Sequence, residues 1–341
     1  MAAMPWQTTG DVTEFLAAAG PYLRRERARN TVILSVTEAM RVNAEAPAAK
    51  SPAAVAPQPE SAAAGLAPGH TAGQAPGHTA GQAAGEAAGH TVGHTVGQVA
   101  GLASRPLLGW WSDPAGAVAG AFMHTPPFPV VLTAVAAEAA AELAAVTMAA
   151  RPLGGVNAYP EVAAAFAGGW LGRNQGGRVD VYRRQRLYRL AELAWPDPAP
   201  DGTARLARDV DARLTADWFA AFADEVDDMG RGEDHSAAVR AKISHGGVTV
   251  WEAGGEPVAI ACNTLPVSGM VRIGPVYTPP ELRSRGYASA ATAAVSQRLL
   301  EAGAEEVVLY TDLANPVSNS IYQRIGYRPV EDRVVLAFSA D

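Results

Sequence analysis

The spacing of apolar residues in the second half of the chain changes between a helical and a strand period. Leu214, Trp218, Phe222 and Val226 recur at four-residue spacing, which predicts an amphipathic helix over Asp211–Val226. The other segments follow in the order short strand, helix, hairpin, strand, small-residue helix and strand. They are predicted at Ala204–Ala207, Asp211–Val226, Val248–Glu252 with Pro257–Thr264, Val271–Tyr277, Ala288–Ala302 and Glu306–Thr311.

The first half repeats nearly the same order. Two helices are predicted within Asp11–Met40, with the basic stretch Arg24–Arg29 between them as a solvated face. A hairpin, a third strand, two helices and a closing strand follow. These segments are Leu107–Trp111 with Ala117–Met123, Pro129–Thr133, an alanine-rich helix to about Ala149, Pro160–Trp170 and Arg186–Leu190. The alternation predicts an α/β chain with a mixed sheet, built as two similar units.

Residues Asn43 to Ser104 interrupt the first unit. Their centre is an octapeptide, Ala67–Gln74, repeated identically at Ala75–Gln82 and in diverged form up to Gln98. With so few large apolar residues, the segment predicts a disordered low-complexity insertion. Four histidines in it could bind a transition metal, but the favoured interpretation is a slipped repeat without function. They are His70, His78, His90 and His94.

Composition and charge argue against several classes of protein. The net charge of −7 argues against a general nucleic-acid binder. The single cysteine, Cys262, lies in an apolar run and predicts a buried, inert thiol. The longest apolar stretch, Phe128 to Ala150, carries Glu138 and Glu142 one turn apart, so it suits an amphipathic helix better than a membrane span. No export signal is visible, and we expect a cytoplasmic protein without a membrane partner.

Two motifs lie in the second unit. Arg283–Ala288 reads R-x-x-G-x-A between a strand and a helix, where Gly286 allows close backbone approach and the helix N-terminus attracts an anion. Asn315–Tyr322 reads N-P-x-S-x-x-x-Y after the next strand. Alone, the first motif is equally typical of an ordinary turn with two solvated arginines. In this order, the two motifs resemble those of the GNAT superfamily of N-acetyltransferases.

The resemblance covers the last part of the chain, from Thr203 to Asp341. It implies a catalytic GNAT domain at 203–341, a linker at 196–202 and, at 1–195, a degenerate GNAT-like domain interrupted at 43–104. The expected fold class is therefore α/β with tandem GNAT-like folds. After the third strand of the first unit there is no R-x-x-G-x-G/A, so a second active site is not expected.

The resemblance also implies roles for individual residues. Acetyl-CoA would be the cosubstrate, and Tyr322 would protonate the leaving CoA thiolate, unless its hydroxyl only packs in the core. Asn315 would bond the cofactor arm or only cap a helix. The expected cofactor-binding residues are Val276, Tyr277, Thr278, Arg283, Ser284, Arg285, Gly286, Tyr287, Ala288 and Asn315. The general base stays open among Glu252, Glu281, His235, His245 and a water chain.

The function that this resemblance implies is direct acetyl transfer from acetyl-CoA to an amine of a small molecule or peptide. The acidic segment Asp227, Asp228, Glu233 and Asp234 suits a cationic amine, although an acidic loop is usually just solvated. The alternative is a non-catalytic acyl-CoA-binding sensor or interaction module with the same fold. A Rossmann protein would need G-x-G-x-x-G, which Gly286 does not have around it. The chain would be a monomer or a homodimer, with no metal site.

Overall fold

The computed structural model describes residues 6–45, 105–226, 232 and 234–340. Most of the expected insertion, including its four histidines, therefore lies outside the described residues. A helix continues to Glu45, two residues beyond the expected start of the insertion at Asn43. None of the helices in the described ranges is both long and apolar enough to cross a membrane.

The described elements repeat one order. Residues 7–190 contain β1 (Gln7–Thr9), α1 (Val12–Arg25), α2 (Thr31–Glu45), β2 (Leu107–Ser112), β3 (Val118–His124), β4 (Val130–Leu132), α3 (Ala137–Glu142), β5 (Gly155–Ala158), α4 (Pro160–Leu171) and β6 (Arg178–Leu190). Residues 203–339 contain β7 (Thr203–Leu206), α5 (Ala212–Glu225), α6 (Ser236–Ser244), β8 (Val248–Ala253), β9 (Glu256–Asn263), β10 (Met270–Tyr277), α7 (Tyr287–Glu301), β11 (Glu306–Asp312), α8 (Pro316–Arg324) and β12 (Tyr327–Ser339). The sequence therefore predicted the order well, while missing β1, β5, α6, β12 and the first part of β6.

All strands of the described residues join one 12-stranded sheet in the order β1-β2-β3-β4-β5-β12-β6-β11-β10-β9-β8-β7. Neighbours are antiparallel except for the pairs β4–β5 and β10–β11, which are parallel. The last strand of each half is inserted into the other half, since β12 pairs with β5 and β6 pairs with β11. The division expected at 196–202 stays a prediction, and the sheet runs continuously across it.

Helices cover both faces of this sheet. Adjacent residues of β6 show the two faces, because Leu187 packs in the apolar cluster beneath α1 and α2, and Tyr188 packs beneath α7. The helix ends follow local chemistry. The Asp11 carboxylate accepts from the N–H of Thr13 at 2.7 Å and starts α1, and Pro160 starts α4.

The basic stretch between α1 and α2 is not simply solvated, which corrects the expectation for Arg24–Arg29. Arg27 donates to the Glu305 carboxylate at 2.6 Å and to the carbonyl of Ser268 at 2.5 Å. The Arg29 guanidinium lies 3.5 Å from the buried Glu331 carboxylate of β12. These arginines therefore join the two halves of the chain.

Candidate active site

The candidate site begins where β10 and β11 part. Their parallel pairing runs from Met270 opposite Glu306 to Ile273 opposite Leu309. Beyond that point β10 stays paired with β9, through Val276 and Tyr277, while β11 stays paired with β6 as far as Asp312. The two carboxyl ends thus leave an opening in the middle of the sheet.

The predicted anion-binding loop follows β10 directly. Ser284 and Gly286 have left-handed backbone conformations, with φ of 60° and 81°, and Gly286 is the N-cap of α7. The N–H of Ala290 donates to the carbonyl of Gly286 at 3.0 Å, which is the first hydrogen bond of the helical pattern. The N–H groups before Ala290 in the first turn therefore have no acceptor within the helix. With the helix dipole, they give this turn the chemistry of an anion site.

Arg283, the first residue of that loop, is held by a carboxylate. Its guanidinium donates to both oxygens of Glu225, at 2.6 and 2.7 Å, and its Nε donates to the carbonyl of Thr278 at 2.9 Å. The hydroxyl of Tyr277 lies 3.4 Å from the same carboxylate. Burial, followed by the negative charge of Glu225, raises the pKa of Tyr277.

Three of the expected site residues share one buried cluster beneath α7. Val276, Ala288 and Tyr322 are 1%, 4% and 1% exposed and belong to the same group of packed apolar side chains. The ring of Tyr322 packs edge-on against Tyr327, with ring centres 6.0 Å apart. The structure therefore places Tyr322 in the core under the opening.

The other expected residues have different surroundings from one another. The Asn315 side chain accepts from the N–H of Ser318 at 3.0 Å, which is the capping role for α8. Arg285 is exposed and donates to the carbonyl of Glu281 at 3.3 Å. Thr278 is 2% exposed, and its hydroxyl has no hydrogen-bond partner among the described residues. Tyr287 is half-buried in the first turn of α7.

The general-base candidates differ in position. The Glu252 carboxylate is 2.7 Å from the Arg205 guanidinium and is paired there. Glu281 is exposed. His245 ends α6, and burial, followed by the charge of Lys242, lowers its pKa. His235 precedes α6 and packs against Phe219, with ring centres 6.2 Å apart. The structure singles out none of the four.

Sequence reasoning missed two groups that border the opening. Glu225 was read only as part of a helix, and its contact with Arg283 spans 58 positions of the chain. Arg183 of β6 lies 3.6 Å from the Asp312 carboxylate at the end of β11 and donates to the carbonyl of Val226 at 2.5 Å. No local motif marks either contact. The structure thus brings a strand of the first half to the edge of the site.

The segment between β6 and β7 also reaches the site. The Trp195 indole donates to the Gln297 side chain of α7 at 3.0 Å. A Cβ atom on Gly286 would lie 3.6 Å from the ring of Pro200. This segment therefore runs beside α7, and Pro200 of the expected linker lies next to Gly286 of the loop. A side chain at Gly286 would meet Pro200 at an ordinary contact distance, so its main cost would be the left-handed backbone.

The corresponding opening in the first half is filled. There, the Arg333 guanidinium of β12 donates to the carbonyls of Leu132, at the end of β4, and of Asn157 in β5, at 2.7 and 3.0 Å. Phe166 of α4 stands as far after Pro160 as Tyr322 does after Pro316. Where the second half has the opening and Tyr322, its counterpart in the first half therefore has Arg333 and Phe166.

Cys262 is confirmed as a buried free thiol. Burial raises its pKa to about 12. Among the described residues, no group of three or more His, Cys, Asp or Glu side chains is placed to hold a metal ion.

Comparison with known protein families agrees with this geometry. Residues 186–327 match the model of the Acetyltransferase (GNAT) family. Residues 186–327 form a GNAT-family domain. The match starts within β6 and ends at Tyr327, so it includes the opening, the loop, α7 and α8 of the GNAT domain.

Solved structures give distant matches. A Drosophila protein has a TM-score of 0.50 and 15% identity, over 69% of this chain and 80% of that one. A GNAT-family acetyltransferase from Colwellia psychrerythraea has a TM-score of 0.47 and 12% identity, over 68% and 85%. A GCN5-related N-acetyltransferase from Sphaerobacter thermophilus has a TM-score of 0.45 and 17% identity, over 69% and 80%. No curated protein matches the chain. At these identities, the likeness concerns the fold alone.

Proposed function

We propose that this GNAT protein transfers the acetyl group of acetyl-CoA directly to an amine. The observation that carries the proposal is the opening between β10 and β11 with the left-handed loop and the N-terminus of α7 directly beside it. A strand edge free beyond Ile273 suits a pantetheine arm, and the helix N-terminus suits its pyrophosphate. In this turn Gly286 has no side chain and Ala288 has only a methyl group, which suits close approach of a ligand to the backbone.

The residues divide into three proposed tasks. The backbone of Val276, Tyr277 and Thr278 would hold the acyl arm and polarise its carbonyl. The turn Arg283–Ala288 would hold the phosphates, and Asn315 would fix the start of α8. Tyr322 would supply a proton to the CoA sulfur, because a phenol with an ordinary pKa of about 10 is a suitable donor to a thiolate.

The reaction balances without a covalent enzyme intermediate. The nitrogen of a neutral amine attacks the acyl carbon, and the bond from that carbon to sulfur breaks. The nitrogen gives up one proton, and the sulfur takes one. Products are the amide and CoA. Direct transfer of this kind needs no nucleophile of the protein.

A repeated fold is part of the same proposal. The identical element order of 7–190 and 203–339, and the reciprocal insertion of β6 and β12, support two tandem GNAT-like folds. The filled opening around Arg333 and the phenylalanine at position 166 support a single cofactor site in the second half. The expected boundaries at 196–202 are retained in this proposal.

One observation favours the non-catalytic alternative. Tyr322 is only 1% exposed, which is also what a purely structural phenol would show. A sensor or interaction module would bind acetyl-CoA and release no CoA in the presence of any amine.

The test measures binding and turnover separately. Isothermal titration with acetyl-CoA should give a single site per chain, and a panel of primary amines should then be screened by release of the CoA thiol. The buried Cys262 keeps the background of a thiol assay low. Thiol release that depends on the amine supports the enzyme, and binding without release across the panel supports the sensor. Absence of binding would contradict both.

A further inference from the structure

Glu225 holds an unusual place for a surface carboxylate. It lies in the last turn of α5, and both of its oxygens accept from Arg283 while the Tyr277 hydroxyl lies at 3.4 Å. Tyr277 ends β10, four residues past the last one that pairs with β11. The carboxylate is therefore beside the end of β10 and the loop that follows it, at the edge of the opening.

Aromatic rings complete the surroundings of this carboxylate. The Arg283 guanidinium carbon lies 5.8 Å from the centre of the Tyr277 ring. The ring centre of Trp218 is 6.1 Å from that of Tyr277, and Trp218 lies on the same face of α5 as Glu225, two turns earlier. A carboxylate beside aromatic rings binds organic cations through charge and cation–π attraction. In this structure the cation is the guanidinium of the protein itself.

Arg283 also belongs to the loop that suits an anion. A phosphate group bound at the first turn of α7 would compete with Glu225 for the guanidinium, since arginine binds both carboxylate and phosphate through its N–H groups. Both oxygens of Glu225 accept from one nitrogen of Arg283, Nη2, so a phosphate that takes this nitrogen displaces the carboxylate. Movement of Arg283 to a phosphate would leave Glu225 and its two rings without their cation.

We infer that Glu225, with the rings of Trp218 and Tyr277, binds the acceptor as a cationic amine, and that Arg283 occupies this place until acyl-CoA binds. The bound ammonium gives up its extra proton before the neutral nitrogen attacks the acyl carbon. The inference rests on the proposed function and names the substrate class and the order of binding. When acyl-CoA binds, Arg283 moves to its phosphates. A positively charged ammonium group then takes the place of Arg283 beside Glu225. Because breaking the Arg283–Glu225 pair opposes acyl-CoA binding, the affinity measured without an amine is lower than the loop alone would give.

The first experiment measures acetyl-CoA binding without an amine by isothermal titration. Glu225→Gln keeps the shape of the side chain and removes its charge, so acetyl-CoA should bind about tenfold more tightly. Glu281→Gln is the matched control, since it removes an exposed carboxylate near the same loop whose side chain does not hold Arg283; it should change the affinity less than about twofold. Equal affinities for the parent and Glu225→Gln, or weaker binding by Glu225→Gln, would overturn the inference.

The second experiment needs neither acetyl-CoA nor an identified acceptor. Arg283→Ala should bind butylguanidinium, detected by ligand-observed NMR, and should not bind the neutral butylurea. The parent and the double variant Arg283→Ala/Glu225→Gln should bind neither. Equal binding of both probes, or of neither, by Arg283→Ala would show that this place does not select a cation. If the parent fails to bind acetyl-CoA, the proposed function fails, while the cation site is still decided by this second result.

Discussion

Arg333 of β12 and Asn157 of β5 are joined by two hydrogen bonds, from Nε to the side-chain oxygen at 3.1 Å and from Nη2 to the main-chain carbonyl at 3.0 Å. They are 176 positions apart, and both side chains are buried. The same guanidinium lies 3.5 Å from the equally buried Glu331 carboxylate. A charged side chain thus closes the first half and ties it to the second.

Arg333→Met should therefore lower the free energy of unfolding by about 3–5 kcal/mol, because it removes the buried cation beside the Glu331 carboxylate and the donor to the Asn157 side-chain oxygen. Urea unfolding followed by circular dichroism checks the value. Arg178→Met is the control, on a side chain that is 73% exposed in the neighbouring strand, and should cost less than about 0.5 kcal/mol. Similar losses in both variants would contradict a structural role for the buried charge.

Gly286→Val and Gly303→Val separate backbone strain from cofactor binding. Both glycines have left-handed backbones, with φ of 81° and 89°, at the two ends of α7. Each variant should lose about 2 kcal/mol of stability. Only Gly286→Val should also raise the acetyl-CoA Kd, by at least about tenfold, since only that glycine lies in the anion loop. Titration calorimetry gives the two Kd values, and unchanged binding by Gly286→Val would remove the loop from the site.

Tyr322→Phe keeps the ring against Tyr327 and removes only the hydroxyl. Turnover with an acceptor amine should fall by about two to four orders of magnitude while the acetyl-CoA Kd stays near that of the parent. Tyr327→Phe is the matched control, since its hydroxyl is 2.7 Å from the Ser296 hydroxyl. It should cost about 1 kcal/mol of stability and leave turnover close to the parent. A stability loss without a turnover loss in Tyr322→Phe would assign its hydroxyl to the core.

His124 should make stability depend on pH. Burial, followed by the charge of Arg151, lowers its pKa to about 4, and its Nδ1 accepts from the Arg151 Nε at 3.3 Å. The unfolded chain, with an ordinary pKa of about 6.5, binds this proton first as the pH falls. The free energy of unfolding should therefore decrease between about pH 6.5 and pH 4, by about 3 kcal/mol from this group.

The measurement for His124 is urea unfolding at pH 7 and pH 5 for the parent and for His124→Gln. The variant should lose less stability than the parent over this interval, since it lacks the titrating group. Carboxylates contribute equally to both proteins, so the comparison isolates the imidazole. Identical pH dependence in the two proteins would contradict a buried neutral His124.

Local patterns predicted the elements and the loop well. The four-residue spacing from Leu214 fixed α5, and the order of strand, R-x-x-G-x-A and helix located the left-handed turn at Gly286. These features depend on neighbouring residues and on backbone freedom, which a single sequence displays. Short strands such as β1 and β5 have three and four residues and give too few positions for a period.

Contacts between distant segments could not be predicted from the sequence. An alternating strand shows which side chains share a face but not which strand lies beside it, so the insertion of β12 between β5 and β6 left no local sign. The ion pair of Glu225 with Arg283 and the contact of Pro200 with Gly286 likewise depend on how the chain returns on itself. The site was therefore predicted as a loop, while its carboxylate and its linker were found only in three dimensions.

The insertion of β12 has a consequence for biosynthesis. Residues 327–339 leave the ribosome after every other strand of this sheet, yet they pair with both β5 and β6. Until β12 is made, β5 and β6 of a nascent chain each have an unpaired edge. Unpaired strand edges promote aggregation. Folding cannot finish half by half as the chain is made. Stop codons or proteolytic cuts anywhere before residue 327 should damage the first half as much as the second, and the growing polypeptide has reason to engage chaperones until that strand arrives.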